Sequence, residues 1–254
     1  MSYDAEYIEK AEAALTSLLQ EWRPKLMEHF GSSKFELKDD RTVVTELDKA
    51  MEVAIKDTLR VLDERVGFLG EEYGQEGSTD TFWLIDPIDG TEQFIRGLTG
   101  CRNLLCLISD GEPVYAMAYR FTTDDMFIAR KGQGTKKNGK IITRQARPLN
   151  RIWVEMPVNM SKPENLKKML AIDSVVATVM RSKEFLDVVD GGIDALIIPT
   201  EHGGEWDFAP RALLAQESGL RIANIGSDTY DYKNLSLIAA PADIFDQLHG
   251  LVSS

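Results

Sequence analysis

Asp86 and Asp89 are the residues whose type and spacing first suggest chemistry. They lie in the run Phe82-Trp83-Leu84-Ile85-Asp86-Pro87-Ile88-Asp89-Gly90-Thr91-Glu92-Gln93-Phe94. Neighbouring carboxylates attract hard cations such as Mg²⁺, which prefer oxygen ligands. The apolar residues Phe82 to Ile85 read as a buried strand that stops at Asp86-Pro87, because proline cannot continue a ladder. Asp89-Gly90 is a turn signal, and Thr91, Phe94, Ile95 and Leu98 have the spacing of a short helix. Two acids would then stand at a strand end, facing helix amides of the kind that attract phosphate oxygens. That combination describes a metal-dependent phosphate site. The plainer alternative is punctuation, since Asp-Pro and Asp-Gly are common turn dipeptides.

Other acids occupy similar positions. Gly70-Glu71-Glu72 follows the short strand predicted at Val66 to Leu69, and paired acids there are ordinarily solvated loop charges. Thr45-Glu46-Leu47-Asp48 resembles a capping box, which would explain Asp48 without catalysis. Asp207, in Glu205-Trp206-Asp207-Phe208-Ala209-Pro210, falls in the first turn of a predicted helix, where the macrodipole favours an acid. Each acid has an ordinary explanation when taken singly. As a set they fall at strand ends and helix starts, where elements converge. Unpaired carboxylates brought together would raise one another's pKa values and cost stability, and divalent cations remove that penalty. Two metals about 3.5–4 Å apart can polarise a phosphoryl group and deprotonate water.

Composition narrows the class. With 254 residues, 43% hydrophobic and 28% charged, the chain is an ordinary globular protein of one large domain or two lobes. A net charge of −12 argues against binding a nucleic-acid polymer, which basic surfaces hold. A phosphate substrate needs metal ions to reverse that sign locally. His29, His202 and His249 are scattered, so oxygen ligands are favoured over a zinc site, and the acid spacing does not fit an EF-hand loop. No apolar run is long enough for a bilayer, and Met1 to Lys10 reads as helical rather than as a signal peptide. Cys101 and Cys106 share a strand-like run and point to opposite faces, which disfavours a disulfide and favours a reducing, cytoplasmic setting.

The elements that must position these residues follow from periodicity. Tyr7 to Phe30 has helical spacing, kinked at Pro24. Lys34 to Arg41 reads as an exposed, mobile loop, and a second helix starts near Thr45. Gly74 to Asp80 is a short polar connection. Leu104 to Ile108 and Val114 to Phe121 form a hairpin through Asp110-Gly111, followed by Met126 to Arg130 and a tight turn at Asn138-Gly139. Residues 1–150 are therefore read as an α+β lobe, two helices on a mostly antiparallel sheet, carrying most of the candidate ligands. From Arg151 the texture becomes α/β. Strands are expected at Ile152 to Met156, Val175 to Met180, Ala195 to Ile198, Leu220 to Ile225 and Leu235 to Ala239. Helices are expected at Pro163 to Leu170, Ser182 to Val189, from Glu205 through Gln216 with Gly219 beyond the cap, and at Asp243 to Leu251. This second lobe, 151–254, would supply Asp207.

The ordered set Val44-Thr45-Glu46-Leu47-Asp48, Gly70-Glu71-Glu72, Asp86-Pro87-Ile88-Asp89-Gly90-Thr91 and Trp206-Asp207 resembles the inositol monophosphatase family of Mg²⁺-dependent, often lithium-sensitive phosphatases. The resemblance spans most of the chain. It implies a layered αβαβα sandwich and two to three Mg²⁺ ions. Glu71, Asp86 and the Ile88 carbonyl would hold one ion. Asp86, Asp89 and Asp207 would hold a second, and Glu71 a third through water. Thr91, paired with Asp48, would orient the attacking water, and the amides of Gly90 and Thr91 would meet phosphate. Lys38 matches a family lysine near the third ion only loosely. The family is usually homodimeric. The chain departs from the family where substrate is specified. It reads Arg181-Ser182-Lys183-Glu184-Phe185 in place of a Gly-Ser/Thr-Ala run, and Pro210 replaces a small residue. Lys183 is either a solvated helix charge or a contact to a second phosphate or other anion, and Glu201 lies near the position of the acid that meets substrate hydroxyls. The implied activity is hydrolysis of a small soluble phosphate, most simply an inositol phosphate. Histidinol phosphate, a sugar bisphosphate or a 3′-phosphoadenosine nucleotide are the alternatives, and a non-catalytic regulatory or assembly protein is the reading from another class.

Overall fold

The computed structural model describes residues 4–38, 42–144, 152–155, 175–178, 185–199 and 203–253. The chain divides into two compact units, Met1–Met126 and Phe127–Ser254, with the division inside a strand.

In the first unit, α1 (Ala5–His29) begins where the Asp4 carboxylate accepts the Tyr7 amide at 2.8 Å, a side-chain N-cap. It continues past Pro24 and buries Tyr7, Ala11, Leu15, Leu19 and Leu26 on one stripe. β1 (Glu36–Leu37) and β2 (Val43–Val44) pair antiparallel, so part of the expected loop is a small strand pair. α2 (Glu46–Leu62) opens with the capping box read from Thr45 and Asp48. Its buried face carries Met51, Ile55 and Leu59, together with a charged stripe at four-residue spacing, Asp48, Glu52 and Lys56.

Behind these helices β3 (Gly67–Gly70), β4 (Gly74–Glu76), β5 (Thr81–Asp89), β6 (Arg102–Ser109) and β7 (Glu112–Arg120) form a sheet ordered β4-β3-β5-β6-β7. β3 and β5 run parallel, and the other pairs are antiparallel. β4 occupies part of what the sequence suggested was a plain connection. The β6–β7 hairpin turns through Asp110 (φ +52°) and Gly111 (φ +79°), both left-handed, as a two-residue turn between twisted strands requires.

Strand β5 does not end at Asp86. It runs through Pro87 to Asp89 with every residue buried. Its register against β6 shifts from Asp86↔Leu104 to Asp89↔Arg102, a bulge that accommodates the proline. The short helix α3 (Thr91–Ile95) follows Gly90, whose φ is +86°.

The second unit begins within β8 (Asp125–Arg130). β8 pairs antiparallel with β9 (Thr135–Lys137), and β9 turns through Asn138-Gly139 into β10 (Lys140–Ile141). β11 (Ile152–Glu155), β12 (Val175–Thr178), β13 (Ala195–Pro199), β14 (Arg221–Ala223) and β15 (Ser236–Ala240) form a mixed sheet ordered β12-β11-β13-β15-β14. α4 (Phe185–Val189), α5 (Glu205–Glu217) and α6 (Ala242–Val252) complete the unit, with Val154, Ile197, Ile238, Phe245 and Leu248 in one core cluster. The predicted helix at Pro163 to Leu170 lies outside the described residues.

The hairpin at β8–β9 belongs with this unit because α5 grips it. The Glu217 carboxylate accepts the Gly132 and Gly134 amides at 2.8 Å each, and Thr135 donates to the Leu214 carbonyl at 2.7 Å. Those contacts are long in sequence, so the change of texture near residue 151 does not reveal them.

Candidate active site

The β5 bulge, α2 and α3 carry five sequence-predicted positions in the first unit. Asp86 and Asp89 are each 2% exposed, and one carboxylate oxygen of each lies within 4.8 Å of the other. Between them the Ile88 carbonyl lies 3.0 Å from the Thr91 hydroxyl. The same hydroxyl lies 3.0 Å from Asp48 Oδ1. Asp48 serves the cap and also meets Thr91. Its Oδ2 accepts the Thr45 amide at 2.9 Å and the Thr45 hydroxyl at 2.5 Å, closing the helix cap, while Oδ1 is turned to Thr91. Burial pushes its pKa up to about 6, the hydrogen bonds from Thr45 and Thr91 oppose the rise, and the charge of Glu71 adds to it.

Glu71 stands at the end of β3, its amide donating to the Ile85 carbonyl at 3.0 Å. Lys38 reaches its carboxylate at 3.0 Å and that of Glu72 at 2.8 Å. Burial alone would lower the pKa of Lys38, but the two acids outweigh it and hold the ammonium above its ordinary value. Burial raises Glu72, and Lys38 moderates the effect.

Several residues that the sequence did not single out hold this arrangement. Glu52 is fully buried and accepts the amides of Glu72 at 2.8 Å and Tyr73 at 3.3 Å, fixing the turn that presents Glu71. Lys56 pairs with it at 2.8 Å. A side chain at Gly70 would collide with the Glu52 carboxylate, so glycine is required there. Asn103, on β6, donates to the Pro87 carbonyl at 2.5 Å and braces the bulge. Next to it, Arg102 is fully buried, lies 3.3 Å from Asp89 Oδ2 and donates to the Gly100 carbonyl. At Gly90 the positive φ excludes most residues, and an added Cβ would lie 2.9 Å from the Gly100 oxygen.

In the second unit Asp207 is buried in the first turn of α5. Its Oδ2 accepts the Gly204 amide at 2.9 Å, and Arg211, one turn on, lies 3.3 Å from Oδ1. Lys183 and Glu201 lie outside the described residues.

Asp86, Asp89, Glu71 and the Ile88 carbonyl offer only oxygen donors, and the two aspartates are buried close together. This donor chemistry fits a hard divalent cation.

The sequence matches the inositol monophosphatase family over residues 4–253, nearly the whole chain. The chain belongs to the inositol monophosphatase family. Members of that family hydrolyse phosphate monoesters. Among its relatives, the chain is 29% identical to the inositol-1-monophosphatase of Caulobacter vibrioides, covering 81% of this chain and 85% of that protein. It is 28% identical to the histidinol-phosphatase of Mycobacterium tuberculosis, covering 76% and 78%. The fold is also that of a solved IMPase/NADP phosphatase described as complexed with Mg²⁺ and phosphate, at a TM-score of 0.82 and 18% identity over 98% of this chain and 96% of that one. The mixed α+β architecture expected from the family motifs is therefore the one observed.

Proposed function

We propose that this inositol monophosphatase family member is a Mg²⁺-dependent phosphomonoesterase acting on a small soluble phosphate by direct attack of water. One observation carries the reading. Within the first unit, the Thr91 hydroxyl lies 3.0 Å from Asp48 Oδ1 and 3.0 Å from the carbonyl of Ile88, on the strand that carries the buried carboxylates Asp86 and Asp89.

The residues that would hold two to three Mg²⁺ ions are Glu71, Asp86, the Ile88 carbonyl, Asp89 and Asp207. Bound there, the ions supply Lewis-acid polarisation and a lowered pKa for attached water. The protein's own part is orientation and proton handling. By donating its hydrogen to ionised Asp48, Thr91 leaves its oxygen lone pairs to accept a hydrogen bond from water. Water held this way has its own lone pair aimed for in-line attack on phosphorus. The amides of Gly90 and Thr91 would meet phosphate oxygens. Lys183 and Glu201 are the proposed contacts to the remainder of the substrate. Relatives include an inositol-1-monophosphatase and a histidinol-phosphatase, and an inositol phosphate is the first candidate substrate. Histidinol phosphate, a sugar bisphosphate and a 3′-phosphoadenosine nucleotide follow it.

Family likeness supports a homodimer and inhibition by millimolar Li⁺. No helix among the described residues is long and apolar enough to cross a membrane, and Cys101 and Cys106 are buried thiols. Reduced cysteines fit the proposed cytoplasmic setting.

The test is phosphate release from these four substrates with MgCl₂ and with EDTA, for the wild-type chain and Asp86→Asn. Release that needs Mg²⁺ and drops at least a hundredfold in the variant supports the reading. Activity from no substrate would turn it toward a regulatory or assembly role, and equal activity in Asp86→Asn would remove the metal assignment.

A further inference from the structure

Two of the proposed metal ligands carry a built-in counter-ion. Arg102 has none of its side chain exposed, and its Nε lies 3.3 Å from Asp89 Oδ2, itself 1% exposed. In the second unit, Arg211 is 5% exposed, and its Nη2 lies 3.3 Å from Asp207 Oδ1. Both guanidinium groups are also held from other sides. Arg102 donates to the Gly100 carbonyl, and Arg211 lies over the rings of Phe185 and Phe208 at 5.3 and 6.0 Å. Lys38, beside Glu71, differs in kind. Its stem is flexible and its side chain is 23% exposed, so it can swing into water. The arginines have no such exit. A guanidinium stays charged at any pH the protein meets, and its planar fork keeps its geometry.

We propose that Arg102, in the first unit, and Arg211, in the second, are fixed internal counter-ions of Asp89 and Asp207 that each set the affinity of their own carboxylate for a cation. Without metal each arginine offsets the charge of its buried carboxylate. With metal it remains in place, so a cation at either acid shares that carboxylate with a guanidinium and feels its repulsion. The arginines therefore weaken divalent-ion binding there while stabilising the metal-free protein. This inference rests on the proposed metal-dependent reading. Neither Arg102 nor Arg211 carries a chemical step; both act as positioning and charge-balancing residues.

The experiment titrates MgCl₂ alone into the full-length chain by calorimetry, with thermal unfolding measured in EDTA and in saturating Mg²⁺. Arg102→Gln removes the charge while keeping a donor for the Gly100 carbonyl, and Arg102→Lys keeps a charge. Arg102→Gln is expected to bind Mg²⁺ about tenfold more tightly than wild type, to unfold at lower temperature in EDTA, and to gain more than wild type from Mg²⁺. Arg102→Lys should stay within about threefold of wild type. A folded Arg102→Gln that binds Mg²⁺ no better than wild type overturns the proposal. A variant that folds only in Mg²⁺ supports it. Should Arg102→Gln fold under neither condition, Arg211→Gln decides by the same titration and the same tenfold criterion. A wild-type chain that binds Mg²⁺ and releases phosphate, beside arginine variants of unchanged affinity, sinks this inference alone. Absence of Mg²⁺ binding in wild type and variants alike sinks the phosphatase reading with it.

Discussion

Thr91 and Asp48 are 43 residues apart in sequence, yet the Thr91 hydroxyl lies 3.0 Å from Asp48 Oδ1 in a buried contact. Asp48 belongs to the first turn of α2 and Thr91 to the first turn of α3, so two helix starts meet at one hydrogen bond. A hydroxyl has a single hydrogen. If it goes to Asp48, the oxygen faces any incoming water as an acceptor. Asp48→Asn reverses the polarity available to Thr91 and should lower kcat by about a hundredfold or more, with a much smaller change in KM. Thr91→Val should do the same, and Thr91→Ser should restore most of the activity. Steady-state kinetics of the three variants checks this.

The same acid gives a pH prediction with a definite sign. Burial raises Asp48 in the folded chain to about 6 from an ordinary 3.8, so the folded state holds this proton more tightly than the unfolded chain. Its contribution to stability is fully present below 3.8 and is lost as pH rises through about 6. The loss amounts to about 3 kcal/mol at most. Denaturant unfolding in EDTA should therefore show a decline between pH 4 and 6 in wild type that is missing from the Asp48→Asn profile. Identical slopes in the two proteins would contradict the assignment.

How much of this was legible beforehand depended on where the deciding partner lies. The Asp110-Gly111 hairpin and the Thr45–Asp48 cap are local, since their residue types and spacing carry the physics. The acids were read as a set from their places at predicted strand ends and helix starts, although Asp86 lies inside β5 and not at its end. The continuation of β5 through Pro87 was not, because the group that takes the Pro87 carbonyl is Asn103, across the sheet. Glu52 was hidden for a similar reason. On α2 it reads as one half of an i,i+4 pair with Lys56, and nothing local says that its oxygens accept the Glu72 and Tyr73 amides. Arg102 sits in an otherwise apolar run, where a charge reads as an anomaly until Asp89 is seen beside it.

Glu52 should be costly to remove. Glu52→Ala leaves buried Lys56 without its 2.8 Å partner, though Glu76 remains 3.7 Å away, and it frees two amides at the Glu71 turn. Breaking a buried pair from one side costs on the order of 3 kcal/mol. Mg²⁺ affinity should fall too, since Glu71 loses the anchor of its turn. Urea unfolding and calorimetric titration measure the two effects separately. Wild-type Mg²⁺ binding in a destabilised variant would show that Glu52 supports the fold and not the site.

Asn103 offers a milder version of the same test on the bulge. Asn103→Leu keeps the branched shape but leaves the buried Pro87 carbonyl without the 2.5 Å donor. An unmet buried acceptor costs about 1–3 kcal/mol. Because Pro87 sits between Asp86 and the Ile88 carbonyl, a displaced bulge should lower kcat at saturating Mg²⁺ as well. Unchanged kcat with reduced stability would limit Asn103 to a structural role.

A pair of glycines can isolate the part played by Asp207. Gly203 (φ +101°) and Gly219 (φ +96°) both adopt backbone conformations that L-residues avoid, so alanine at either position is strained by about 1–2 kcal/mol. Their surroundings differ. A Cβ at Gly219 meets nothing within 4 Å, whereas one at Gly203 would lie 2.5 Å from Asp207 Oδ2 and 3.2 Å from its Cγ. Gly203→Ala must therefore push the Asp207 carboxylate away from the Gly204 amide that now holds it, and Gly219→Ala has no such consequence. If Asp207 holds metal, Gly203→Ala should lose at least tenfold in kcat and bind Mg²⁺ more weakly. Gly219→Ala should lose stability alone. Equal kinetics in the two variants, at matched fractions folded, would mean that moving the Asp207 carboxylate is without consequence, and Asp207 would leave the ligand set.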